Sequence, residues 1–261
     1  MRPRPLAVVT GASTGIGLEL ARLCAARGFD LIIAADEPRI AEAADELRSD
    51  DTRVWEIETD LSTLAGVDAL YQLIERLSRP VDVLVANAGR GLGGAFLDQD
   101  FAKLRRVIDT NVTGTVCLTQ LVARDMRARG AGRILVLGSI AGFIPGSFMA
   151  VYNGSKAFLY NFSMALADEL KGTGVSVTCL MPGPTETEFF RRAEMEETEA
   201  GRSKKASPAQ VARDGLDALF EGRTEIVSGW QNKLLALAAH VTPASILARR
   251  NRQISAPERH V

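Results

Sequence analysis

The sequence predicts an α/β protein: one domain built on a doubly wound sheet of seven parallel strands, with helices on both faces. Three observations lead there. Short apolar or β-branched runs alternate with longer segments of helical periodicity along most of the chain. Most of the short runs are apolar at consecutive positions, as strands covered on both faces require. The 261 residues also carry no internal repeat, low-complexity linker or composition break that would divide them.

The strands are expected at residues 6–10, 31–35, 53–57, 81–86, 133–137, 175–180 and 225–227. A helix follows the first, since Ile16, Leu20, Leu23 and Cys24 form one apolar stripe while Glu19 and Arg22 fall elsewhere. Further helices are expected over 41–47, 67–77, 112–129, 155–171 and 209–220, each a crossover between parallel neighbours. Residues 1–229 form the sheet-bearing unit, and 230–261 read as a C-terminal extension.

Composition excludes several functions. Hydrophobic residues make up 46% and charged residues 24%, the balance of an ordinary soluble chain. Lys plus Arg (31) nearly cancels Asp plus Glu (32), so no bulk positive charge exists to hold a nucleic acid. Cys24, Cys117 and Cys179 are far apart, and the two histidines, His240 and His260, lie near the C-terminus. That argues against a metal site and against Ser-His-Asp hydrolysis. The apolar run at 6–9 is too short for a signal-peptide core, and nothing approaches the ~20 apolar residues of a membrane span. A cytoplasmic location is expected.

The first strand leads into Thr10-Gly11-Ala12-Ser13-Thr14-Gly15-Ile16-Gly17 and then a helix. Glycines there permit positive φ and a close backbone approach, and the free N–H groups of the helix start favour a pyrophosphate. The spacing is G-x-x-x-G-x-G; a ligand-free glycine turn is the plainer reading of it alone. A dinucleotide site also needs a group for the adenosine ribose near the end of the second strand. Asp36 stands there, where it would accept from ribose hydroxyls and repel a 2′-phosphate. NAD(H) is therefore favoured over NADP(H), although Arg39 lies close enough to meet a phosphate.

Tyr152 and Lys156 are four residues apart and share a helix face. A phenol titrates near ~10, and an adjacent ammonium stabilises its anion. Lowering that value by about three units takes about 4 kcal/mol, for Lys156 and an oxidised nicotinamide to supply together. Ser139, after the fifth strand, can bond a substrate oxygen, and Asn111 can anchor a water or cap the helix from residue 112. Singly, each has an ordinary explanation: packing, a solvated face or a cap.

Together these residues resemble the short-chain dehydrogenase/reductase family in its common form. The resemblance runs from Leu6 to about Val227 and rests on Thr10–Gly17, Asp60-Leu61, Asn87-Ala88-Gly89, Asn111, Ser139, Tyr152/Lys156 and Pro182-Gly183-Pro184-Thr185-Glu186-Thr187, in that order. It implies a Rossmann-type sheet and hydride transfer between nicotinamide and a carbonyl or alcohol carbon. By the resemblance Tyr152 is the general acid/base. Lys156 binds the nicotinamide ribose and lowers the tyrosine pKa, Ser139 orients the substrate oxygen, and Asn111 holds a water in a relay toward Lys156. The cofactor path comprises Gly11, Ser13, Thr14, Gly15, Ile16, Gly17, Asp36, Asp60, Leu61, Asn87, Ala88, Gly89, Tyr152, Lys156, Pro182, Gly183, Thr185 and Thr187. One departure concerns the cofactor. The family's usual NAD-selecting acid would stand at Ala35, Asp36 is one place later, and Thr14 replaces the basic residue of many NADP users.

Three alternatives leave residues unexplained. A turnover-free nucleotide sensor or scaffold has no use for Tyr152/Lys156. A methyltransferase leaves Ser139, Tyr152 and Lys156 idle, and epimerase relatives need a larger C-terminal region. An apolar substrate is expected from Phe96, Phe143, Ile144, Phe148, Met149, Phe189 and Phe190 in the loops, which could equally pack on one another. The acidic run Glu194, Glu196, Glu197 and Glu199 reads as a lid or a solvated helix. Helices over 112–126 and 155–170 carry a second apolar stripe, which predicts a homodimer or homotetramer. In the tail, Leu234-Leu235-Ala236-Leu237-Ala238-Ala239 followed by Arg249, Arg250 and Arg252 suits a membrane-surface helix, an oligomer contact or a wall on the substrate side.

Overall fold

The computed structural model describes residues 4–256; His260 and Met1–Pro3 lie outside the described residues. The chain runs β1 (Leu6–Thr10), α1 (Gly15–Ala26), β2 (Asp30–Ala35), α2 (Ile40–Leu47), β3 (Val54–Glu58), α3 (Leu64–Leu77) and β4 (Val81–Ala86). It continues through α4 (Phe101–Ile108), α5 (Thr115–Arg129), β5 (Gly132–Leu137), α6 (Ala150–Glu169), β6 (Val175–Met181), and the short α7 (Phe189–Arg192) and α8 (Glu199–Arg202). The last elements are α9 (Pro208–Phe220), β7 (Glu225–Val227), α10 (Trp230–Val241) and α11 (Ala244–Ser255). The seven strands form one sheet in the order β3-β2-β1-β4-β5-β6-β7, with every neighbouring pair parallel. This is the Rossmann-type, doubly wound arrangement that the sequence predicts.

The unbroken apolar strands follow from burial on both faces. In β1, Ala7 and Val9 point to the side covered by Leu20 and Cys24 of α1 and by Val211 and Leu216 of α9. Leu6 and Val8 point to the other side, against Leu70 of α3, Leu118 and Val122 of α5, and Leu159 of α6. Period-two alternation therefore survives in direction while polarity is apolar throughout. A third apolar cluster, with Leu104, Met149, Tyr152, Phe190 and Met195, sits beyond the sheet and lines the substrate side.

Two elements differ from the sequence reading. Helix α4 is absent from the sequence reading, although Leu104 and Val107 of Phe101–Ile108 recur at helical spacing and are the residues it buries. No helix starts at 112 either: α4 runs through a π turn at Asp109–Gly114 directly into α5. Asn111 lies inside that turn, fully buried, and caps nothing. Helix α6 also begins earlier than residue 155, so Tyr152 is on its first turn. Among the described residues no helix is long and apolar enough to cross a membrane.

Candidate active site

The strand order reverses between β1 and β4, and the crevice there is where open α/β sheets take ligands. Loops leaving the carboxyl ends of the strands enclose a cleft of about 410 Å³ at that place. Gly11, Ser13, Thr14, Gly15, Ile16 and Gly17 line one end of it. Gly11 and Gly15 have φ of +64° and +59°, which glycine adopts without strain. A methyl group on Gly17 would overlap the Gly11 carbonyl oxygen, so the loop closes only around glycine. Thr14 precedes α1 without capping it, leaving first-turn N–H groups for a ligand anion. Asn87 fixes this loop to the next strand: its Nδ2 donates to Thr10 O at 2.8 Å and Gly11 O at 3.1 Å. Thr10 Oγ1 accepts from the Asn87 and Ala88 N–H groups, each at 3.0 Å. These residues fit the pyrophosphate of a dinucleotide.

The adenosine corner holds Asp36, Asp60, Leu61, Ala88 and Gly89, all lining the cleft. Asp36 is not a lone carboxylate, however. Arg90 ion-pairs with it, and Arg106 lies 3.5 Å from it and 2.9 Å from Asp60. A second group stands at the rim, where Arg192 bonds Glu37 at 2.8 Å and Glu188 at 2.9 Å. Arg39 meets Glu188 at 2.7 Å, and Ser13 donates to Glu37. The two arginines hold the Glu188 carboxyl down at about 2. Sequence reasoning missed Arg90, Arg106, Arg192, Glu37 and Glu188 because partners on different loops meet only after folding. Arg90 alone had a signal, its place directly after Asn87-Ala88-Gly89.

Tyr152, Lys156 and Ser139 meet where α6 faces the ends of β4 and β5. Tyr152, Lys156 and Ser139 are all buried and all line the cleft. Lys156 Nζ donates to Leu137 O at 2.7 Å and lies 5.9 Å from the Tyr152 ring centre. Burial pushes the Tyr152 phenol up to about 12, with the Ser139 hydrogen bond pulling part of the way back. Burial also draws the Lys156 ammonium down to about 8, and only Cys179 opposes this. The expected lowering of the tyrosine calls for the cofactor's charge beside Lys156; in the chain alone, desolvation sets the direction for both groups. Ser139 serves as a cap, one of its two readings: its Oγ accepts from Ala141 N at 3.1 Å, capping a 3-10 turn, and donates to Pro182 O at 3.4 Å.

Asn111 spends its side chain on the framework. Nδ2 donates to Arg90 O and to Ser155 Oγ, both at 2.9 Å, while Oδ1 accepts from Arg90 N at 2.7 Å. This ties the loop after β4 to the first turns of α6, with Gly89 lying between Asn111 and Lys156. Opposite them, Pro182, Gly183, Thr185 and Thr187 line the cleft after β6. Thr185 Oγ1 donates to Gly183 O at 2.9 Å, and Phe189 N donates to Thr187 Oγ1 at 3.3 Å.

The substrate end is apolar. Ile144, Met149, Phe189 and Phe190 line it, and the Phe189 ring lies 5.0 Å from that of Tyr152. Three expected residues do not contribute. Phe96 is 56% exposed, Phe143 packs on Tyr160 and His240, and Phe148 sits under Arg252. The acidic run is neither a single helix nor free: α7 and α8 frame it, Ala193 and Met195 are buried, and Glu194, Glu196, Glu197 and Glu199 face outward. The C-terminal extension supplies Asn232, Leu235, Asn251, Ile254 and Ser255 to the cleft, and Asn251 Oδ1 is buried there without a hydrogen-bond partner.

Comparison with known proteins agrees with this geometry. Residues 5–198 match the family described as short chain dehydrogenase. Over 178 residues the chain is 38% identical to a very-long-chain 3-oxoacyl-CoA reductase of Pyricularia oryzae, covering 66% of this chain and 53% of that protein. The chain thus spans about half the length of that curated relative. A short chain dehydrogenase/reductase from Burkholderia phymatum, in complex with NAD, superposes with a TM-score of 0.83 at 26% identity, covering 90% of this chain and 92% of that one. A short-chain dehydrogenase from Sphingobium yanoikuyae, in complex with NADPH, gives 0.79 at 29% identity, covering 98% and 100%. Sheet order, glycine cradle, tyrosine–lysine pair and these matches converge: the chain belongs to the short-chain dehydrogenase family.

Proposed function

We propose that the protein is a cytoplasmic short-chain alcohol dehydrogenase or carbonyl reductase acting with NAD(H) on an apolar carbonyl compound or secondary alcohol. The observation that carries this reading is Tyr152, beside Ser139 and Lys156, at the junction of the glycine cradle and the apolar chamber. A nicotinamide dinucleotide, when bound, supplies or accepts the hydride. Tyr152 keeps its proton at neutral pH and donates it to the substrate oxygen during reduction. In oxidation it takes that proton back, which calls for a positive charge beside it to bring its pKa down. Ser139 Oγ orients the same oxygen. Lys156 holds the nicotinamide ribose and returns a proton to Tyr152 from solvent. Pro182, Gly183, Thr185 and Thr187 receive the nicotinamide end. Asn111 acts as a positioning residue through Arg90 and Ser155.

Charge balance supports NAD(H). Asp36 and Asp60 answer Arg90 and Arg106, while Glu37 and Glu188 answer Arg39 and Arg192. A 2′-phosphate would have to break one of these pairs and sit beside a carboxylate. The alternative of a turnover-free nucleotide sensor leaves a buried lysine and tyrosine without a purpose.

The test is oxidation of NADH and NADPH against a panel of apolar ketones and aldehydes. Wild type is expected to turn over with NADH, and Tyr152→Phe to lose at least ~100-fold in kcat while keeping its NADH affinity. Undiminished turnover by Tyr152→Phe would refute the mechanism. Faster turnover with NADPH would refute the cofactor assignment.

A further inference from the structure

Helix α10 has two unlike faces. Ala236 and Ala239 are buried against the body, while Asn232 and Leu235 line the cleft. On the opposite side Trp230, Leu234, Leu237 and Val241 are 70%, 57%, 68% and 84% exposed. At ~100° per residue these four fall within roughly 60° of one another, a single outward row. Large apolar side chains scattered singly on a surface need no explanation, but a row along one helix does.

The segment that bears this row carries charge of one sign. From Trp230 to Ala256 the sequence contains Lys233, Arg249, Arg250 and Arg252 and no Asp or Glu, although the whole chain carries a net −1. Lys233, Arg249 and Arg250 are exposed, and none of them forms an ion pair among the described residues. An apolar stripe of Trp, Leu and Val on a segment with cations and no acids of its own is the pattern of a helix lying in a lipid–water interface. A second copy of the chain fits less well. Across a two-fold axis the segment would face its own cations with no carboxylate to answer them, whereas an anionic lipid surface answers every one.

We infer that α10, together with the cationic α11 that follows it in the chain, docks the protein on an anionic lipid bilayer. The apolar row enters the headgroup–acyl boundary and the arginines meet lipid phosphates and carboxylates. Because the inner face of the same helix lines the cleft, docking sets the substrate end about one helix diameter, ~10 Å, from the lipid. An apolar carbonyl compound dissolved in the bilayer would then have a short path to Tyr152. The docking itself does not depend on the proposed reaction, and it is tested without it.

The experiment is co-sedimentation of the full chain with sucrose-loaded vesicles, either of phosphatidylcholine alone or with phosphatidylserine added. Two variants accompany it: Leu234→Gln/Leu237→Gln/Val241→Gln and Arg249→Glu/Arg250→Glu. Circular dichroism and thermal melting check that each is folded, and sedimentation velocity gives its mass. Wild type is expected to bind phosphatidylserine vesicles at least ~10-fold better than neutral ones, and less well as salt rises. The triple glutamine variant is expected to lose at least ~10-fold in binding, and the charge-reversed variant to lose its preference for phosphatidylserine. Wild type left in the supernatant with both vesicles would overturn the proposal. So would a triple variant that still binds, or one whose mass halves while wild type ignores vesicles, since that result assigns the row to a second copy.

Discussion

Lys156 is a buried ammonium whose pKa lies at about 8, against 10.5 for an ordinary lysine. That gap corresponds to about 3 kcal/mol of penalty on its charged form in the folded protein. The penalty is complete below about pH 8, where the lysine is protonated both folded and unfolded. It fades between about 8 and 10.5, where the folded state has released the proton and the unfolded state has not. Lys156→Met is therefore expected to stabilise the cofactor-free protein at pH 7 by about 1–2 kcal/mol, the loss of the bond to Leu137 O offsetting the rest. Denaturant unfolding should show this advantage shrinking as pH rises from 8 toward 10.5, while activity is lost throughout. At this scale the sequence displayed the Tyr152–Lys156 pair because one helix turn sets their separation. It could not display Arg90 and Arg106 on Asp36, because two loops and helix α4, far apart in the chain, deliver those charges.

The first βα turn shows how an element makes a site. Its glycines are required by backbone shape, so Gly17→Ala is expected to cost about 1–3 kcal/mol of stability through overlap with Gly11 O. The same change should weaken NADH binding at least ~10-fold by displacing the first turn of α1, as fluorescence titration would measure. This element was legible in the sequence since all its determinants are local. The π turn at Asp109–Gly114 was not, because a widened turn keeps helical dihedrals and has no composition signature. It lets α4 and α5 run on as one helical stretch while Asn111 points into the loop after β4. The expected N-cap and the observed clamp use the same amide groups on different partners.

For the molecule as a whole, the outward surface of α6 bears on assembly. Phe158 is 44% exposed, and its ring stacks on that of Phe162 at 5.9 Å between centres. A homodimer or homotetramer would cover this surface, as the apolar stripes at 112–126 and 155–170 suggest. Phe158→Glu should then convert the assembly to monomers in sedimentation equilibrium without lowering the melting temperature of the monomer. The sequence by itself determined the architecture: apolar runs covered on both faces, helical crossovers and a glycine-rich first turn admit a doubly wound parallel sheet and little else. It also displayed the Tyr152–Lys156 pair, since one helix turn sets their spacing. Only the tertiary structure decided how the adenosine corner is charged, that Asn111 is a clamp, and that α10 and α11 close the substrate end with an apolar row turned outward. Those outcomes depend on which side chains from distant segments share a low-dielectric cleft or are left facing solvent. Periodicity and composition carry no information about such contacts until the chain has folded.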